Sequence, residues 1–569
     1  MPVECELILT DPEAIKRYYA HAERVGVDIE TTGLNYPRAR VMVLSIAAEG
    51  LPPAVLHLRD QKVPEPILDL LSRATLIGHN ITCFDLPFLK LLGVRPQAPW
   101  YDTMILEQLA STGRRSLSVS LANSLYRRLG VQIDKSLGRS DSWTSLLLTP
   151  EQIAYAANDV RWLTQLAESQ LAIIREHKLD DSLDLELRCQ VATYHMRVNG
   201  VPINLKALRQ LMHETRQKQS ECGARLRQFG LSNPSSPAQV LSKCRELGIQ
   251  VGSTDHEVLT RVHRLYPDGS LEAQFLDDVL QHRAYTRQLM YDDDWVSHHV
   301  TDGRIYPTYR QLGTDTGRFS ASEPNIQQWI VGMRKVVQAP EGRNIVYADY
   351  RQLEVVIACA WYKDERLLDL VRSGGDLHRQ VAALVWDKDA ESITPDERES
   401  AKKVVWTYLF AGGKHGMEAG LDSDPSATMR IETVRSQLIR LFPEVVKQQN
   451  AVKRRLDWYI KQGMPMIVRP KLGPRREIYP DELRPSRVIN TLVQGTAASG
   501  LKRVLARLVD EGLGDYLVTC LHDEVVLECP ESETDEVANT LEAVMREEME
   551  DHLGLAVDVE VKQGKSWGN

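Results

Sequence analysis

The sequence lacks several features that would place the protein in a specialised class. None of its eight cysteines belongs to a C-x-x-C pair, so we expect reduced core thiols rather than a zinc site. No run of about eighteen uncharged apolar residues occurs, which predicts no membrane span. The N-terminus has no basic region followed by an apolar one, so no secretory signal is expected. Together these absences predict a protein of the reducing cytoplasm.

The chain also lacks a net positive charge, an internal repeat and a low-complexity linker. Its 569 residues favour about three or four domains, and its formal net charge of −9 argues at first against a nucleic-acid partner. Basic residues are nevertheless concentrated in Lys206–Arg227, Lys447–Arg455 and Arg469–Arg476, and acidic residues in Glu531–Asp551. One basic segment is usually a solvated helix face, but three that flank the motifs below favour local contacts with phosphates.

The pattern of apolar residues predicts alternating strands and helices up to about residue 178. Two early segments are expected to be strands and a later one a single long helix: Val25–Ile29, Val41–Ala47 and Thr149–Glu176. Residues 180–300 are expected to be mainly helical, with a break at Ser232–Pro237 that caps a helix beginning near Ala238.

Two aspartates far apart in the sequence each follow an apolar segment that is expected to be a strand. Asp349 follows Asn344–Ala348, and Asp523 follows Tyr516–Leu521 with one residue between. If the strand ends meet, the carboxylates face one point and hold a pair of Mg²⁺ ions for in-line phosphoryl displacement. Taken alone, each aspartate is better explained as an acidic residue that happens to end a strand than as a metal ligand.

A cationic helix face is predicted between these two aspartates. Arg398, Lys402 and Trp406 recur every fourth residue, which places them along one face of a helix. Arginine forks onto phosphate oxygens and lysine acts as a point charge, so the stripe suits a triphosphate. By itself it would be an amphipathic surface helix, but with the two aspartates it indicates nucleotide polymerisation.

A second acidic constellation lies near the N-terminus. Asp28 and Glu30 are at i and i+2 of a predicted strand, and therefore on one face. Asp85 ends a strand-to-helix turn, and Tyr155 lies one helical turn before Asp159. Four carboxylates can hold two divalent metals, and the phenol can orient a water for attack on a phosphodiester.

This ordered set resembles the DEDDy 3′→5′ exonuclease family. Lys135–Leu137 and Ser140–Trp143 also resemble that family. The resemblance implies a ribonuclease H-like domain in which Asp28, Glu30, Asp85 and Asp159 are metal ligands and Tyr155 positions the attacking water. No expected acidic residue is missing.

From about residue 180 the chain resembles family A DNA polymerases, the polymerase I group of bacteria and many bacteriophages. The matching segments are Thr314–Ser320, Pro324–Gln327, Asp349–Glu354, Arg398–Phe410, Val488–Ala498, His522–Glu524 and Gly564–Gly568. The resemblance implies an α/β and α+β multidomain protein: the exonuclease domain (1–178), then a right-hand polymerase. Its parts would be a mainly helical thumb (179–300), an antiparallel-sheet palm (301–364 and 481–569) and helical fingers (365–480).

The resemblance also implies roles for individual positions, with Mg²⁺ or Mn²⁺ as cofactor, two ions per active site. Polymerase metal and catalytic positions would be Asp349, Tyr350, Asp523, Glu524 and Lys402. Nucleotide-binding positions would be Arg398, Lys402, His378, Gln352, Glu354, Trp406 and Phe410. DNA-binding positions would be Arg318, Asn325, Gln327, Arg334, Asn490, Gln494 and His522. Partners would be primer–template DNA, dNTPs and single-stranded 3′ ends, with no membrane.

Four positions depart from the family pattern. Phe410 replaces the tyrosine whose hydroxyl usually pairs with Glu354, the steric gate against a ribose 2′-OH, and Ala411 replaces a glycine. Trp406 is larger than the usual ring near the sugar, and Ser486 stands where an arginine is frequent. These departures predict altered sugar selection or fidelity.

Two other functions are compatible with the motifs. The chain could be a 3′→5′ nuclease whose C-terminal part only binds DNA, which Phe410 and Ala411 favour and Asp349 and Asp523 oppose. A non-enzymatic nucleic-acid scaffold would leave two metal sites idle. Because the first metal motif begins by residue 28, no 5′-nuclease region is expected before it. That shape is typical of bacteriophage replication polymerases that act in the host cytoplasm, and a host repair enzyme is the alternative.

Overall fold

A computed structural model describes residues 7–97, 99–111, 117–133, 141–145, 147–329, 331–413, 417 and 430–568. Lys135–Leu137 and Ser140, singled out above, lie outside the described residues. The seven cysteines within this part of the chain are all buried and unpaired. Among the same residues, no helix has both the length and the apolar character needed to cross a bilayer.

The N-terminal region is built on a five-stranded mixed sheet of order β3-β2-β1-β4-β5. The strands are β1 (Arg24–Thr31), β2 (Val41–Ala47), β3 (Ala54–His57), β4 (Thr75–Gly78) and β5 (Tyr101–Asp102). The β1 strand pairs antiparallel with β2 and parallel with β4. Every residue of β2 is buried, as expected for an apolar strand covered on both faces. Both strands predicted in this region are therefore confirmed.

Helices cover this sheet. They are Pro12–Tyr18, Glu65–Arg73, Asp85–Leu91, Thr103–Ala110, Leu121–Leu129, Pro150–Arg161 and Leu163–Glu176, with a 3₁₀ turn at Asp141–Thr144. The predicted single helix Thr149–Glu176 is wrong, because the chain leaves helical geometry at Trp162 (φ −104°, ψ 1°). The first half packs on β1 and β2 and the second on Thr103–Ala110, so tertiary packing imposes a bend that the local sequence does not encode.

A helical region follows. Its helices are Asp180–Asn199, Leu205–Gln228, Pro237–Glu246, His256–His263, Leu271–Gln288 and Asp293–His299. Ser236 caps the helix that begins at Pro237, which confirms the predicted break within one residue. The small strands β6 (Val201–Pro202), β7 (Val300–Thr301) and β8 (Arg304–Ile305) form a three-stranded sheet at its base.

The C-terminal region contains a four-stranded antiparallel sheet of order β14-β15-β11-β16. The remaining strands are β9 (Thr308–Arg310), β10 (Ser320–Ser322), β11 (Arg343–Tyr350), β12 (Met466–Val468), β13 (Arg476–Ile478), β14 (Leu517–Leu521), β15 (Glu524–Pro530) and β16 (Val559–Gly564). Two ribbons, β9–β10 and β12–β13, lie outside this sheet. The register places Asp349 of β11 opposite Glu524 of β15.

The C-terminal region also contains nine helices within the described residues. They are Val331–Arg334, Leu353–Tyr362, Glu365–Arg372, Leu377–Trp386, Pro395–Leu409, Ile431–Leu441, Pro443–Gln462, Pro485–Asp510 and Thr534–Leu553. Short 3₁₀ turns lie at Ile326–Gln328, Ala390–Ser392, Gly514–Tyr516 and Glu531–Glu533. Thr534–Leu553 packs on β11 and β16 and against Pro485–Asp510. One layer of helices thus supports the sheet on which the second acid pair lies.

Helix Asp180–Asn199 joins the two regions. Its Arg197 donates to the Cys83 carbonyl at 3.0 Å and its guanidinium lies 5.1 Å from the Tyr36 ring centre. On the other side, its Glu186 pairs with Lys502 at 2.5 Å and accepts a hydrogen bond from Gln311 at 2.9 Å. Both members of this ion pair are almost completely buried.

Lys502→Ala is expected to destabilise the protein by about 3–5 kcal/mol, because it leaves the Glu186 carboxylate buried without its counter-charge. The double variant Glu186→Leu/Lys502→Met is expected to regain most of that loss, since it removes both charges and keeps the volume. Urea unfolding followed by tryptophan fluorescence measures both. Equal destabilisation by the single and the double variant would contradict this role of the pair.

Candidate active sites

The first acidic site is formed where helix Pro150–Arg161 crosses β1. Asp28 and Glu30 project from one face of the strand, and Asp159 reaches them from the helix. One ligand oxygen from each lies within 4.8 Å of the others. Gly26 eases the close approach, because a Cβ there would lie only 3.1 Å from the Val160 carbonyl oxygen. Three carboxylates are thus brought together as the sequence predicted.

Asp85, the fourth predicted carboxylate, lies near Asp28 at the first residue of its helix but is not one of the three residues of this cluster. It is buried and accepts a hydrogen bond from the Ile29 backbone N–H at 3.0 Å. Burial, and secondly the nearby Asp28 carboxylate, raise its pKa well above the ordinary value. A cation beside Asp28 would relieve that repulsion.

Tyr155 places its phenol against the same carboxylates. Its pKa is raised by burial and by Asp159, Glu30 and Asp28 in that order. The ring lies 6.0 Å from Trp143, which belongs to the second segment of the predicted motif. The phenol is therefore positioned at the edge of the acidic cluster.

The second acidic site joins Asp349 and Asp523. A two-residue turn between β14 and β15, with His522 at φ 58°, brings Asp523 beside Asp349, and the side chains lie within hydrogen-bonding reach. Burial, then the Asp523 charge, raises the pKa of Asp349 to about 6. Burial also raises the pKa of Asp523. Two hard, partly desolvated carboxylates at this spacing suit a divalent cation.

Glu524 and Tyr350, the neighbours of these aspartates, are engaged elsewhere. Glu524 is buried, accepts from Trp567 Nε1 at 2.7 Å and pairs with Arg334 at 3.1 Å. The Arg334 guanidinium lies 4.7 Å from the Trp567 ring centre. Tyr350 donates its hydroxyl to the Met545 carbonyl at 2.7 Å, so only its backbone carbonyl is left to act as a ligand.

A cavity of about 1140 Å³ opens in front of Asp349 and Asp523. The predicted residues that line it are Arg318, Tyr350, Gln352, Glu354, His378, Arg398, Lys402, Trp406 and His522. Its cationic wall comes from helix Pro395–Leu409, as the spacing predicted. Asn325, Gln327, Arg334, Asn490, Gln494, Glu524 and Phe410 are not among its lining residues.

Arg398 of the cationic wall is held by an acid that the sequence analysis missed, whereas Lys402 pairs with Glu399 at 2.5 Å. Asp376 pairs with Arg398 at 2.5 Å and lies 3.8 Å from His378 Nδ1. It is also the N-cap of helix Leu377–Trp386, which was the available sequence signal. His378 is buried, its pKa is lowered to about 4 by burial, and its ring nitrogens have no hydrogen-bond partner among the described residues. Its neutral ring can therefore still donate to a ligand.

Three of the four departures from the family pattern lie at the end of helix Pro395–Leu409, where Trp406 lines the cavity and Phe410 and Ala411 do not. Ser486 lies on helix Pro485–Asp510. Phe410 stacks on Trp406 with ring centres 4.8 Å apart and an interplanar angle of 11°. Glu354 forms an ion pair with Arg318, and its Oε2 is buried without a hydrogen bond from the described residues. Ala411 has φ 54°, the left-handed region in which glycine is unstrained and alanine is not.

The predicted DNA-contacting residues outside the cavity occupy three elements, and Arg334 ends the short helix Val331–Arg334. Asn325 accepts from the Gln327 backbone N–H at 3.1 Å and caps a 3₁₀ turn. Asn490 and Gln494 are half-buried and lie one turn apart on helix Pro485–Asp510. Arg487, beside Ser486, pairs with Asp315 at 3.4 Å and Glu482 at 3.0 Å, so it is already engaged.

Two protein-family models match the chain. The one described as DNA polymerase family A matches residues 204–569, and the one described as 3′-5′ exonuclease matches residues 8–174. DNA polymerase I of Aquifex aeolicus is 28% identical over 580 aligned residues, which cover 95% of each chain. DNA polymerase I of Chloroflexus aurantiacus is 26% identical over 86% of this chain and 54% of its own length. This chain thus spans about half of the second relative.

A solved structure has the same fold. The POL domain of Pol1 from M. smegmatis, a complex with DNA primer-template and dNTP, gives a TM-score of 0.80 over 99% of both chains at 23% sequence identity. That likeness concerns the fold alone.

Asp349→Asn is expected to raise the thermal unfolding temperature in metal-free buffer at about pH 8. At that pH, above its raised pKa of about 6, Asp349 is charged in a partly desolvated position beside Asp523, and the asparagine removes that charge. The same variant is expected to lose most of the stabilisation that Mg²⁺ gives the wild type. Calorimetry with and without Mg²⁺ measures both effects, and Asp268→Asn, at an exposed position, is the control. A lower unfolding temperature for Asp349→Asn would contradict the repulsion.

Proposed function

The chain belongs to DNA polymerase family A and carries a 3′-5′ exonuclease domain, and on this premise we propose that it copies DNA and proofreads at two separate sites. The observation that carries the proposal is the Asp349–Asp523 pair at the floor of a cavity with a cationic wall. The Asp28, Glu30 and Asp159 cluster supports the second activity. The M. smegmatis complex, with its primer-template and dNTP, indicates the substrates.

Asp349 and Asp523 would hold two divalent cations, Mg²⁺ or Mn²⁺, with the backbone carbonyl of Tyr350 as a further ligand. Bound there, the cations lower the pKa of a primer 3′-OH and neutralise a leaving pyrophosphate. Glu524 positions the turn that carries Asp523, because Trp567 and Arg334 fix its carboxylate. Raised carboxylate pKa values in the structure fit such a site.

The wall opposite would receive the nucleotide. Arg398 forks onto phosphate oxygens, Lys402 supplies a point charge and neutral His378 donates one hydrogen bond. Asp376 holds Arg398 until a triphosphate competes for it. Gln352, Trp406 and Phe410 would border the sugar and base.

Contacts with the primer–template duplex would come from several elements. Arg318, Asn490 and Gln494 would donate to minor-groove acceptors, which differ little between base pairs and so report pair geometry. Asn325, Gln327, Arg334 and His522 would lie along the same duplex. Arg318 also pairs with Glu354, which would link duplex binding to the steric gate.

At the exonuclease site, Asp28, Glu30, Asp85 and Asp159 would hold two divalent cations in the DEDDy arrangement. Tyr155, kept protonated by its surroundings, would donate to or orient the water that attacks the phosphodiester of a single-stranded 3′ end. We assign the exonuclease domain to residues 1–178, thumb to 179–300, palm to 301–364 and 481–569, and fingers to 365–480. Replication of a bacteriophage genome remains our prediction for its role.

Extension and trimming of a labelled primer–template separate the two activities. Asp349→Ala is expected to lower extension by more than about a hundredfold, since even outer-shell partners of metal ligands cost that much, and to leave trimming intact. Asp28→Ala is expected to abolish trimming of 3′-mismatched primers and to leave extension intact. Primers that shorten but never grow with the wild type would indicate a nuclease on an inactive polymerase fold.

Phe410→Tyr tests the altered gate. A restored hydroxyl would hydrogen-bond Glu354 and is expected to lower ribonucleotide incorporation roughly fivefold, the effect of about 1 kcal/mol. Single-nucleotide insertion of dNTP and rNTP measures the ratio, with Phe229→Tyr as a control that adds the same hydroxyl elsewhere. If Phe410→Tyr changed neither sugar selection nor misinsertion, Phe410 would have no part in the steric gate.

A further inference from the structure

Helix Pro443–Gln462 contains a basic segment to which the proposed function gives no role. Its cations are Lys447, Lys453, Arg454, Arg455 and Lys461, against the acids Glu444 and Asp457. Lys447 pairs with Glu444 at 3.1 Å, whereas the other four cations form no ion pair with the described residues. A local excess of positive charge is thus exposed on a chain whose net charge is −9.

One face of this helix combines cations with an aromatic ring. Arg454, Trp458 and Lys461 are spaced i, i+4 and i+7, which places them side by side. Leu456, two residues from Arg454 and so about 200° around the helix, is buried in the core beneath. The face that carries Trp458 therefore points to solvent, and that side chain is 53% exposed.

The exposed Trp458 ring is held in place by its contact with the neighbouring Tyr459 ring. Trp458 meets Tyr459 edge to face, with ring centres 4.9 Å apart and an interplanar angle of 89°. Tyr459 is half-buried and packs against the cluster formed by Leu456 and the β12–β13 ribbon. Trp458 is thus an exposed aromatic surface that a packed neighbour orients.

We propose that the Arg454–Trp458–Lys461 face binds the unpaired template strand ahead of the primer. Guanidinium and ammonium groups neutralise phosphates of a strand, and an exposed indole stacks on an unpaired base, which a closed duplex does not offer. The positive charges of Arg454 and Lys461 on either side of the Trp458 ring therefore suit the phosphates and bases of single-stranded DNA. The inference rests on the proposed function only for the identity of the strand.

Primer–templates with a 5′ template overhang of about two or about fifteen nucleotides test the proposal, because a bound single strand occupies several nucleotides. Trp458→Ala is expected to weaken binding of the long-overhang substrate roughly tenfold and to leave the short one unchanged, whereas Trp458→Phe retains most of the affinity. Arg454→Ala/Lys461→Ala is expected to reduce the salt slope of long-overhang binding by roughly one for each phosphate that is no longer neutralised. Tyr126→Ala, which removes an exposed aromatic from the exonuclease domain, is the control.

Two outcomes would overturn this assignment. Either the Trp458 and Arg454/Lys461 variants bind the long overhang as the wild type does, or they lose affinity equally on both substrates. Extension of the short-overhang substrate by the wild type is measured in parallel. Its failure would count against the polymerase itself, while its success with unaltered overhang binding would count only against this surface.

Discussion

The fold forces carboxylates together at two places, and both proposed sites rest on the repulsion between them. At one, antiparallel pairing of β11 with β15 and a two-residue turn bring Asp523 beside Asp349. At the other, a glycine in β1 lets a helix approach closely enough for Asp159 to join Asp28 and Glu30. Backbone hydrogen bonds and core packing hold both arrangements. A fold that maintains such clusters gains most when divalent cations bind, which is the common requirement of both proposed activities.

The surroundings of the two clusters differ, and this difference gives each site its own chemistry. The Asp349–Asp523 pair faces a large cavity with Arg398 and Lys402 on the far wall, which suits an incoming triphosphate. The Asp28 cluster instead has a buried phenol at its edge, which suits the positioning of water. Helix Asp180–Asn199 ties both regions together through Arg197 on one side and Glu186 on the other. The same DNA strand can therefore reach both acidic sites, each with its own chemistry, on one folded framework.

Much of this could be predicted from the sequence, because the decisive acids lie at strand ends or at helical spacing. The strands around Asp28 and Asp349 and the cationic stripe were predicted correctly. The bend at Trp162 was missed, since it comes from packing of two helix halves on different partners. Long-range pairs such as Arg318–Glu354 and Asp376–Arg398 were also missed. Such contacts depend on how separate elements meet, and local propensity carries no information about that.

Anomalous diffraction from crystals of this chain grown with Mn²⁺ and primer–template DNA would show whether cations relieve the repulsion. We expect manganese peaks between Asp349 and Asp523 and separate peaks among Asp28, Glu30 and Asp159. Peaks at both clusters would show that the repulsion is relieved by cations at each. A fully ordered structure with manganese at neither cluster, or with an arginine or lysine side chain filling one of them, would contradict the account.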